Sequence, residues 1–324
     1  MQDVYKICYA VYDKVRMMLS RSRGDGDVTL YLDNAKEQTD LKTGEVCAFG
    51  GFHGMRVDVY AGYVYITGSL PKLVYGSNVY QLDRHTTGQA IEILEDGLHV
   101  DLGNASVTEL EFGQNFVMSS PVLEYLKRLG DMPRMARSVF GKSSLYYMGK
   151  GKKKPLVLTF YDKKADALAK GMALPAGYDG VNLLRYEMRL KGRLPYRLGV
   201  PAVTASTLSE RPFYDMMVRR YVDMYFSIKK VNKLIIEDMT KIKTAGDAFT
   251  MLVASLVREV GQARVEEFMR RLKDGKVLKN RSDYTHLRKR IQEVTEMAGG
   301  IAQDELVKEM DDAVKNVKPL AGTY

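Results

Sequence analysis

The sequence has few of the residues from which proteins build disulfides or histidine metal sites. It contains two cysteines, Cys8 and Cys47, which are too few for a disulfide framework or a cysteine zinc site. The four histidines form no HxH or HExxH pair and are far apart: His53, His85, His99 and His286. The sequence therefore argues against a histidine-built metal site, and carboxylate oxygens are the remaining candidate ligands.

Long apolar runs and nucleotide-binding loops are also missing. No apolar run approaches the roughly 20 residues that a membrane-spanning helix needs. The N-terminal MQDVYKICYAVYDKVRMM lacks the apolar core and small-residue cleavage site of a secretion signal. Neither a P-loop nor a Rossmann fingerprint is present. We therefore expect a soluble cytoplasmic protein.

What the chain does have is positive charge and enough apolar residues for a core. Its 324 residues are 45% hydrophobic and 27% charged, which suits one large domain with an appendage or two domains. The net charge is +9. This balance favours a polyanionic partner such as nucleic acid, with an anionic membrane surface as the alternative.

The chain divides into a strand-rich part and a helical part. Alternation and β-branched residues predict strands at 27–33, 55–70, 90–102, 105–116 and 182–192, and a hairpin with a basic tip over 143–164. Residues 119–132 predict a helix. After about residue 205, apolar residues recur at helical spacing. We therefore predict an α+β fold with a central antiparallel sheet over 1–205 and an α-helical part over 206–324.

Tyr161 lies where the apolar run LVLTFYDKK meets charge. A phenol with a pKa of about 10 is a poor nucleophile at neutral pH. The ammonium groups of Lys163 and Lys164, or a metal ion, would favour the phenolate. The alternative is an ordinary tyrosine at a strand end, since the chain has 21 tyrosines.

Two acidic strand faces could hold a divalent cation. Glu109 and Glu111 are two residues apart and share one face of a strand. Glu187 lies between Arg185 and Arg189, on the face opposite the intervening apolar residues. Carboxylates on such faces suit Mg²⁺ or Mn²⁺. A salt-bridged surface strand is the simpler interpretation of the second face.

Basic residues surround these motifs and predict a phosphate track. The TGSLPKLVYGSN segment at 67–78 is interpreted as a turn-rich loop with Lys72 as a phosphate contact. The candidate DNA-binding residues are Lys72, Lys152, Lys153, Lys154, Lys164, Arg185 and Arg189. Each basic run taken alone is more often a solvated surface, and it is their combination around Tyr161 and Glu187 that indicates a phosphate track.

Four motifs in order resemble the replication initiation proteins of filamentous bacteriophages, the gene II/X family, and more distantly the plasmid rolling-circle initiators. The motifs are TGSLPKLVYGSN, VTELEFGQNF, LTFYDKK and LLRYEMRLKGRLPYRLGVP, and they span roughly 45–205. The resemblance implies a Rep-like, metal-dependent nickase and strand transferase that acts at a replication origin in a bacterial host. Its partners would be origin DNA and the host helicase and polymerase.

The resemblance also implies residue roles. Tyr161 matches the family's nucleophile and Lys163 its adjacent lysine, while Glu111 and Glu187 match acids on two strands. Asp166 lies where relatives often have a third acid. Glu109 stands where an arginine commonly precedes the first acid, so the ligand set is open. Tyr146 and Tyr147 are possible second nucleophiles.

Three other functions remain open at this point. A conjugative or mobilisation nickase would use the same chemistry. A DNA-binding module without catalysis would use Tyr161 for stacking and the acids for ion pairs with arginine. A peripheral membrane protein would place its lysines on anionic lipid.

Overall fold

Ten strands of the described chain form one continuous sheet. The computed structural model describes residues 11–21, 26–80, 82–141, 143–149, 154–172, 174, 178, 180–231, 242–260, 262–298 and 304–317. The strands are β1 (Val11–Ser20), β2 (Asp33–Thr39), β3 (Val46–Phe52), β4 (Met55–Val59), β5 (Tyr63–Ser69), β6 (Ser106–Met118), β7 (Met135–Phe140), β8 (Ser144–Gly149), β9 (Leu156–Asp162) and β10 (Asn182–Lys191). Their order is β2-β3-β4-β5-β1-β6-β10-β9-β8-β7, and neighbouring strands are antiparallel.

Helices follow or connect these strands. They are α1 (Leu70–Tyr75), α2 (Arg84–Leu98), α3 (Val122–Leu126), α4 (Lys163–Ala169), α5 (Leu194–Leu198), α6 (Ala205–Ser209), α7 (Arg211–Phe226), α8 (Ala245–Val260), α9 (Gln262–Asp274), α10 (Arg281–Ala298) and α11 (Glu305–Lys315). A 3-10 helix covers Val28–Tyr31. Among the described residues, no helix is long and apolar enough to cross a membrane.

Stacked aromatic rings join α7 to one face of the sheet. Tyr186 on β10 stacks on Phe160 of β9 with ring centroids 4.3 Å apart, and on Tyr221 of α7 at 4.1 Å. The Tyr186 hydroxyl donates to the Tyr221 carbonyl, and the Tyr221 hydroxyl donates to the Tyr186 carbonyl. Alternate residues of β10 therefore point into this core, and the intervening ones point to the opposite face.

The predicted α+β class, with a large antiparallel sheet and a helical C-terminal part, is confirmed. The strands predicted at 105–116 and 182–192 are β6 and β10, and the hairpin over 55–70 is β4 and β5. The hairpin at 143–164 is β8 and β9. The alternation of residue types predicted these strands correctly because the two faces of each strand differ in chemical character.

Three local predictions were wrong. Residues 90–102 lie mostly in α2, where Asp83 and Thr86 form a capping box and Ile91 and Leu94 are buried at helical spacing. Within residues 27–33, Val28–Tyr31 form the 3-10 helix, and β2 begins only at Asp33. Residues 67–78 end β5 and form α1, because Ser69 caps the helix and a proline occupies its first turn.

The described chain separates into two compact units. The first contains Met1–Lys229 and Met310–Tyr324, and the second contains Lys230–Glu309. Within the second unit, α8 packs on α10, and Ala254 and Val294 are buried together. The helices predicted from the apolar spacing after residue 205 are present as α7 to α10, and α11 was not predicted. The proposed functional division at 205 and 206 remains a prediction.

Candidate metal and tyrosine site

Three carboxylates from three adjacent strands meet on the face of the sheet opposite α7. Asp13 lies on β1, Glu111 on β6 and Glu187 on β10, and one oxygen from each lies within 4.8 Å of the others. We call this group the acidic triad, and its face of the sheet the site face. All its donors are oxygens, which is the set that hard divalent cations prefer. The triad could therefore hold a metal ion.

Arg185 lies among these carboxylates. Its Nη2 pairs with Asp13 Oδ2 and its Nε pairs with Glu187 Oε1. Its Nη1 donates to Asn115 Oδ1 at 3.1 Å. The side chain is 1% exposed, so the strand is not the surface salt-bridge strand that the sequence allowed. A buried arginine so placed neutralises part of the triad's negative charge.

Polar groups from the β5–α1 segment and the following loop hold Asp13 in place. The Ser69 hydroxyl donates to Asp13 Oδ1, and Asn78 Nδ2 donates to Asp13 Oδ2 at 3.0 Å. Lys163 Nζ in turn donates to Asn78 Oδ1 at 2.8 Å. The motif at 67–78 thus orients an acid of the triad, whereas its Lys72 is exposed on α1.

Tyr161 lies directly beside the triad. It occupies β9 opposite Arg185 of β10, and its hydroxyl donates to Glu187 Oε1 at 2.9 Å. The side chain is partly buried. Asp162, the next residue, caps α4 by accepting from the Ala165 backbone N–H at 2.9 Å. Tyr161 is therefore the next-to-last residue of β9, and Lys163 is the first residue of α4.

The electrostatics differ from those expected for Tyr161. Burial raises the pKa of Tyr161 above its ordinary value, the charge of Arg185 opposes this shift, and the charge and hydrogen bond of Glu187 add to it. The pKa shift is therefore opposite to the lowering that we expected from Lys163 and Lys164. The nearest effective cation is Arg185, because Lys163 is directed to Asn78.

Burial also shifts the pKa of Glu111 and of Lys163. It raises the pKa of Glu111 to about 8, with the charges of Glu187 and Asp13 adding to the effect. Burial, followed by repulsion from Arg185, lowers the pKa of Lys163 to about 8. Glu111 lies 4.0 Å from Arg189. An added cation among the carboxylates would oppose the first shift.

Two predicted ligands lie outside the triad. Glu109 lies on the same face of β6 as Glu111, but its Oε1 pairs with Lys191 Nζ at 3.1 Å. Asp166 lies on α4, where it pairs with Lys170 at 2.7 Å and approaches Lys163 at 4.0 Å. The structure therefore brings Glu111 and Glu187 together and adds Asp13 in place of these two acids.

The residues of the predicted basic track differ in exposure. Lys154 is exposed, Lys164 and Arg189 are partly exposed, and Arg185 is buried in the site. Lys152 and Lys153 lie outside the described residues. Arg185 thus serves the triad, and a direct phosphate contact by its buried side chain is not supported by this geometry.

The two alternative tyrosines have different surroundings. Tyr147 is fully buried, and its hydroxyl donates to the Gly130 carbonyl at 2.7 Å. Burial raises the pKa of Tyr147 to about 12. Tyr146 packs edge-on against Phe140, with ring centroids 5.1 Å apart. Tyr161, by contrast, donates its hydroxyl proton to an acid of the triad, so it remains the first candidate.

Asp13 was missed in the sequence. It lies in VYDKVRMM, which is part of the central strand β1. The signal that could have identified it is a lone acid among the apolar residues Tyr12, Val15 and Met17, which are all buried. A change of register between Tyr12 and Val15 then accommodates Asp13 on the site face.

Comparison with known proteins gives the family. Residues 49–209 match a family model that describes the N-terminal part of a phage replication-associated protein. The chain belongs to this family of phage replication-associated proteins, which confirms the resemblance drawn from the four motifs. No curated protein matches the chain.

A solved structure also aligns with the chain. It is a rolling circle replication initiator protein from Geobacillus stearothermophilus, with 11% sequence identity and a TM-score of 0.38. The alignment covers 75% of this chain and 95% of that one.

Proposed function

We propose that this replication initiator is a site-specific single-strand DNA endonuclease and strand transferase that uses Tyr161 as its nucleophile. The observation that supports this most is the 2.9 Å hydrogen bond from the Tyr161 hydroxyl to Glu187, a member of the acidic triad. Through this hydrogen bond the candidate nucleophile contacts a carboxylate that can accept its proton and that also belongs to the candidate cation site. A structural tyrosine would not need a carboxylate that also faces two other acids.

The residues divide the reaction between them. The Tyr161 oxygen attacks phosphorus at the origin and gives its proton to Glu187 Oε1, which already accepts its hydrogen bond. The bond from phosphorus to the 3′ oxygen breaks, and that oxygen leaves as a hydroxyl after taking a proton from water. The 5′ phosphate stays esterified to Tyr161, so the phosphoryl bond is conserved. Attack by a 3′ hydroxyl on this ester rejoins the strand without ATP.

The acidic triad fits a divalent cation, Mg²⁺ or Mn²⁺. Asp13, Glu111 and Glu187 would hold the ion, because three close carboxylates around one buried arginine leave unbalanced negative charge. A cation there supplies charge stabilisation for the phosphate oxygens and favours the phenolate. Lys163, held at Asn78 by a 2.8 Å hydrogen bond, adds a further donor beside the triad.

We assign origin DNA as the partner, single-stranded or in a supercoiled duplex, with a host helicase and polymerase acting on the nicked product. The bacterial cytoplasm is the corresponding location. A mobilisation nickase would use the same site, so the biological context of the nick distinguishes the two. A DNA-binding module without catalysis would leave the Tyr161–Glu187 contact unused.

The test is a denaturing gel of the protein incubated with supercoiled DNA that contains its own replicon's origin. We expect a nicked strand with protein attached to its 5′ end in Mn²⁺, and none in EDTA. Tyr161→Phe should form no adduct while DNA binding persists, and Tyr147→Phe is the matched control that should retain the adduct. An active Tyr161→Phe protein would refute the assignment, and binding without any adduct would favour the non-catalytic module.

A further inference from the structure

A group of tyrosines lies on the site face beyond the triad. On β5, the Ser69 hydroxyl contacts Asp13, so the residues that alternate with it, Thr67, Tyr65 and Tyr63, point to the same face. Val64 and Ile66, which lie between the tyrosines and Thr67, are buried on the opposite face. With Tyr60 in the preceding turn, Tyr63 and Tyr65 form what we call the tyrosine platform. All three of its rings are partly exposed.

The platform presents aromatic surface in a compact arrangement. The rings of Tyr60 and Tyr63 stack with centroids 4.6 Å apart and planes inclined by 23°. Tyr63 and Tyr65 meet edge-on at 5.3 Å. Aromatic rings on a sheet are the usual surface on which unpaired bases stack, because every base has an aromatic face.

Arg16 connects the platform to the triad. Its guanidinium lies 4.0 Å above the centre of the Tyr65 ring. Its Nε is buried without a hydrogen-bond partner, and within the described residues no carboxylate pairs with Arg16. Lys14 lies opposite Ser69 on the neighbouring strand. These two cations can contact the phosphates of a strand that lies between the platform and the triad.

A second cation and ring lie next to the platform. The Arg56 guanidinium is 5.0 Å from the centre of the Phe49 ring, and its charge is paired with Asp58. Asp58 is opposite Tyr65 in the register of β4 and β5. The paired Arg56 therefore adds stacking surface, whereas Lys14 and Arg16 provide the attraction for an anion.

The order of the strands gives the platform a polarity. Tyr161 lies on β9, on one side of the triad, and β5 lies on the other side. In an in-line displacement the leaving 3′ oxygen departs opposite the attacking oxygen. The DNA segment 5′ of the nick therefore leaves the triad towards β1 and β5. Tyr65 and Tyr63 are four and six residues from Ser69, so they lie roughly 13 and 20 Å from it along β5.

We propose that Tyr60, Tyr63, Tyr65 and Arg16 form a binding site for single-stranded DNA that holds the segment 5′ of the nick. This inference deepens the proposed function and rests on it for the polarity. The site retains the strand that is released with a free 3′ hydroxyl, whereas the other strand is held covalently. Retention of both ends is what a later rejoining step requires.

The protein offers a specific reporter for this site because it contains no tryptophan. Tyr63→Trp would introduce a single indole into the platform, whose emission a stacked base should quench. Tyr31→Trp is the matched control, since Tyr31 packs on His99 at the end of α2, away from the platform. Each variant is titrated in EDTA with short oligothymidylate, so that no chemistry is needed.

We expect the oligothymidylate to quench Tyr63→Trp and to leave Tyr31→Trp unchanged. Tyr63→Ala and Arg16→Ala should each weaken binding of the same probe about tenfold or more, measured by fluorescence anisotropy. Equal quenching of both reporters, or unchanged affinity in both alanine variants, would overturn the site. A wild-type protein that does not bind the probe would overturn it as well.

The polarity is tested with the two halves of a mapped nick site. The half that ends at the nick with a 3′ hydroxyl should quench Tyr63→Trp, and the half that begins at the nick should not. The reverse result would overturn the assigned direction. Quenching together with a protein that never forms the tyrosine adduct would retain the binding site and refute the proposed nuclease. Formation of the tyrosine adduct without quenching of Tyr63→Trp would support the proposed nuclease and refute the binding site.

Discussion

Replacement of Arg185 by methionine removes the buried cation of the acidic triad while keeping an unbranched apolar stem. Arg185 is 1% exposed and pairs with both Asp13 and Glu187. Its loss leaves these carboxylates buried beside Glu111, whose pKa is already raised to about 8 by burial and by its acidic neighbours. The variant therefore tests how strongly the triad needs a positive charge.

The size of the effect follows from burial. Removal of one partner from a buried ion pair costs about 3–5 kcal/mol, and we expect a loss in this range for metal-free Arg185→Met. A cation that binds the triad only in the folded protein should restore about 2.7 kcal/mol at a concentration of about 100 times its Kd. Arg189→Met is the matched control. Arg189 is 32% exposed and 4.0 Å from Glu111, so its loss should cost about 0–1 kcal/mol.

The assay is urea unfolding followed by tyrosine fluorescence, first in EDTA and then with increasing Mn²⁺. The expected result is a large loss for Arg185→Met in EDTA that Mn²⁺ partly reverses, with a small loss for Arg189→Met in both conditions. An Arg185→Met protein as stable as the wild type in EDTA would refute the view that the triad needs this counter-charge. A loss that Mn²⁺ does not change would refute the assignment of the triad as a cation site.

Three further predictions concern the site, the aromatic core and the cap of α2. Asp13→Asn and Glu111→Gln should each weaken Mn²⁺ binding, measured by calorimetry, by at least about tenfold. Glu109→Gln should leave Mn²⁺ binding unchanged, since Glu109 pairs with Lys191. Equal losses of affinity in all three variants would contradict the ligand assignment. Tyr186→Ala should lower the free energy of unfolding by about 3–5 kcal/mol because it empties the stack between Phe160 and Tyr221, while Tyr186→Phe should cost only about 0.5–1.5 kcal/mol through one lost hydrogen bond. Asp83→Ala should cost about 0.5–2 kcal/mol in the same measurement by removing the cap of α2, and an unchanged midpoint would show that this cap contributes nothing.

Sequence patterns gave correct predictions where one strand face is apolar and the other is polar. Along β10, Tyr186 points to the aromatic core while Arg185 and Glu187 point to the site face, as alternation requires. The same pattern failed over 90–102, because a run with Ile91, Leu94 and Leu98 satisfies helical spacing as well as strand composition. There the capping box at Asp83, seven residues upstream of the predicted strand, decided the outcome.

The identity of the nucleophile candidate and two of the triad acids could be predicted locally, because Tyr161, Glu111 and Glu187 each belong to a short motif. Asp13 could not, since it joins Glu111 only when β1 pairs with β6, a strand more than 80 residues away in the sequence. No local pattern gives the partner of a strand in a ten-stranded sheet.

The sequence by itself determined the family, the strand faces and the types of residue available for chemistry, because these depend on local composition and motif order. The tertiary structure decided which charges act on which groups. It placed Arg185 inside the triad and directed Lys163 to Asn78. It also buried Tyr161 beside Glu187, which raises the pKa of the phenol instead of lowering it. Burial and the distances between charges exist only after folding, and they fix the electrostatics of the site.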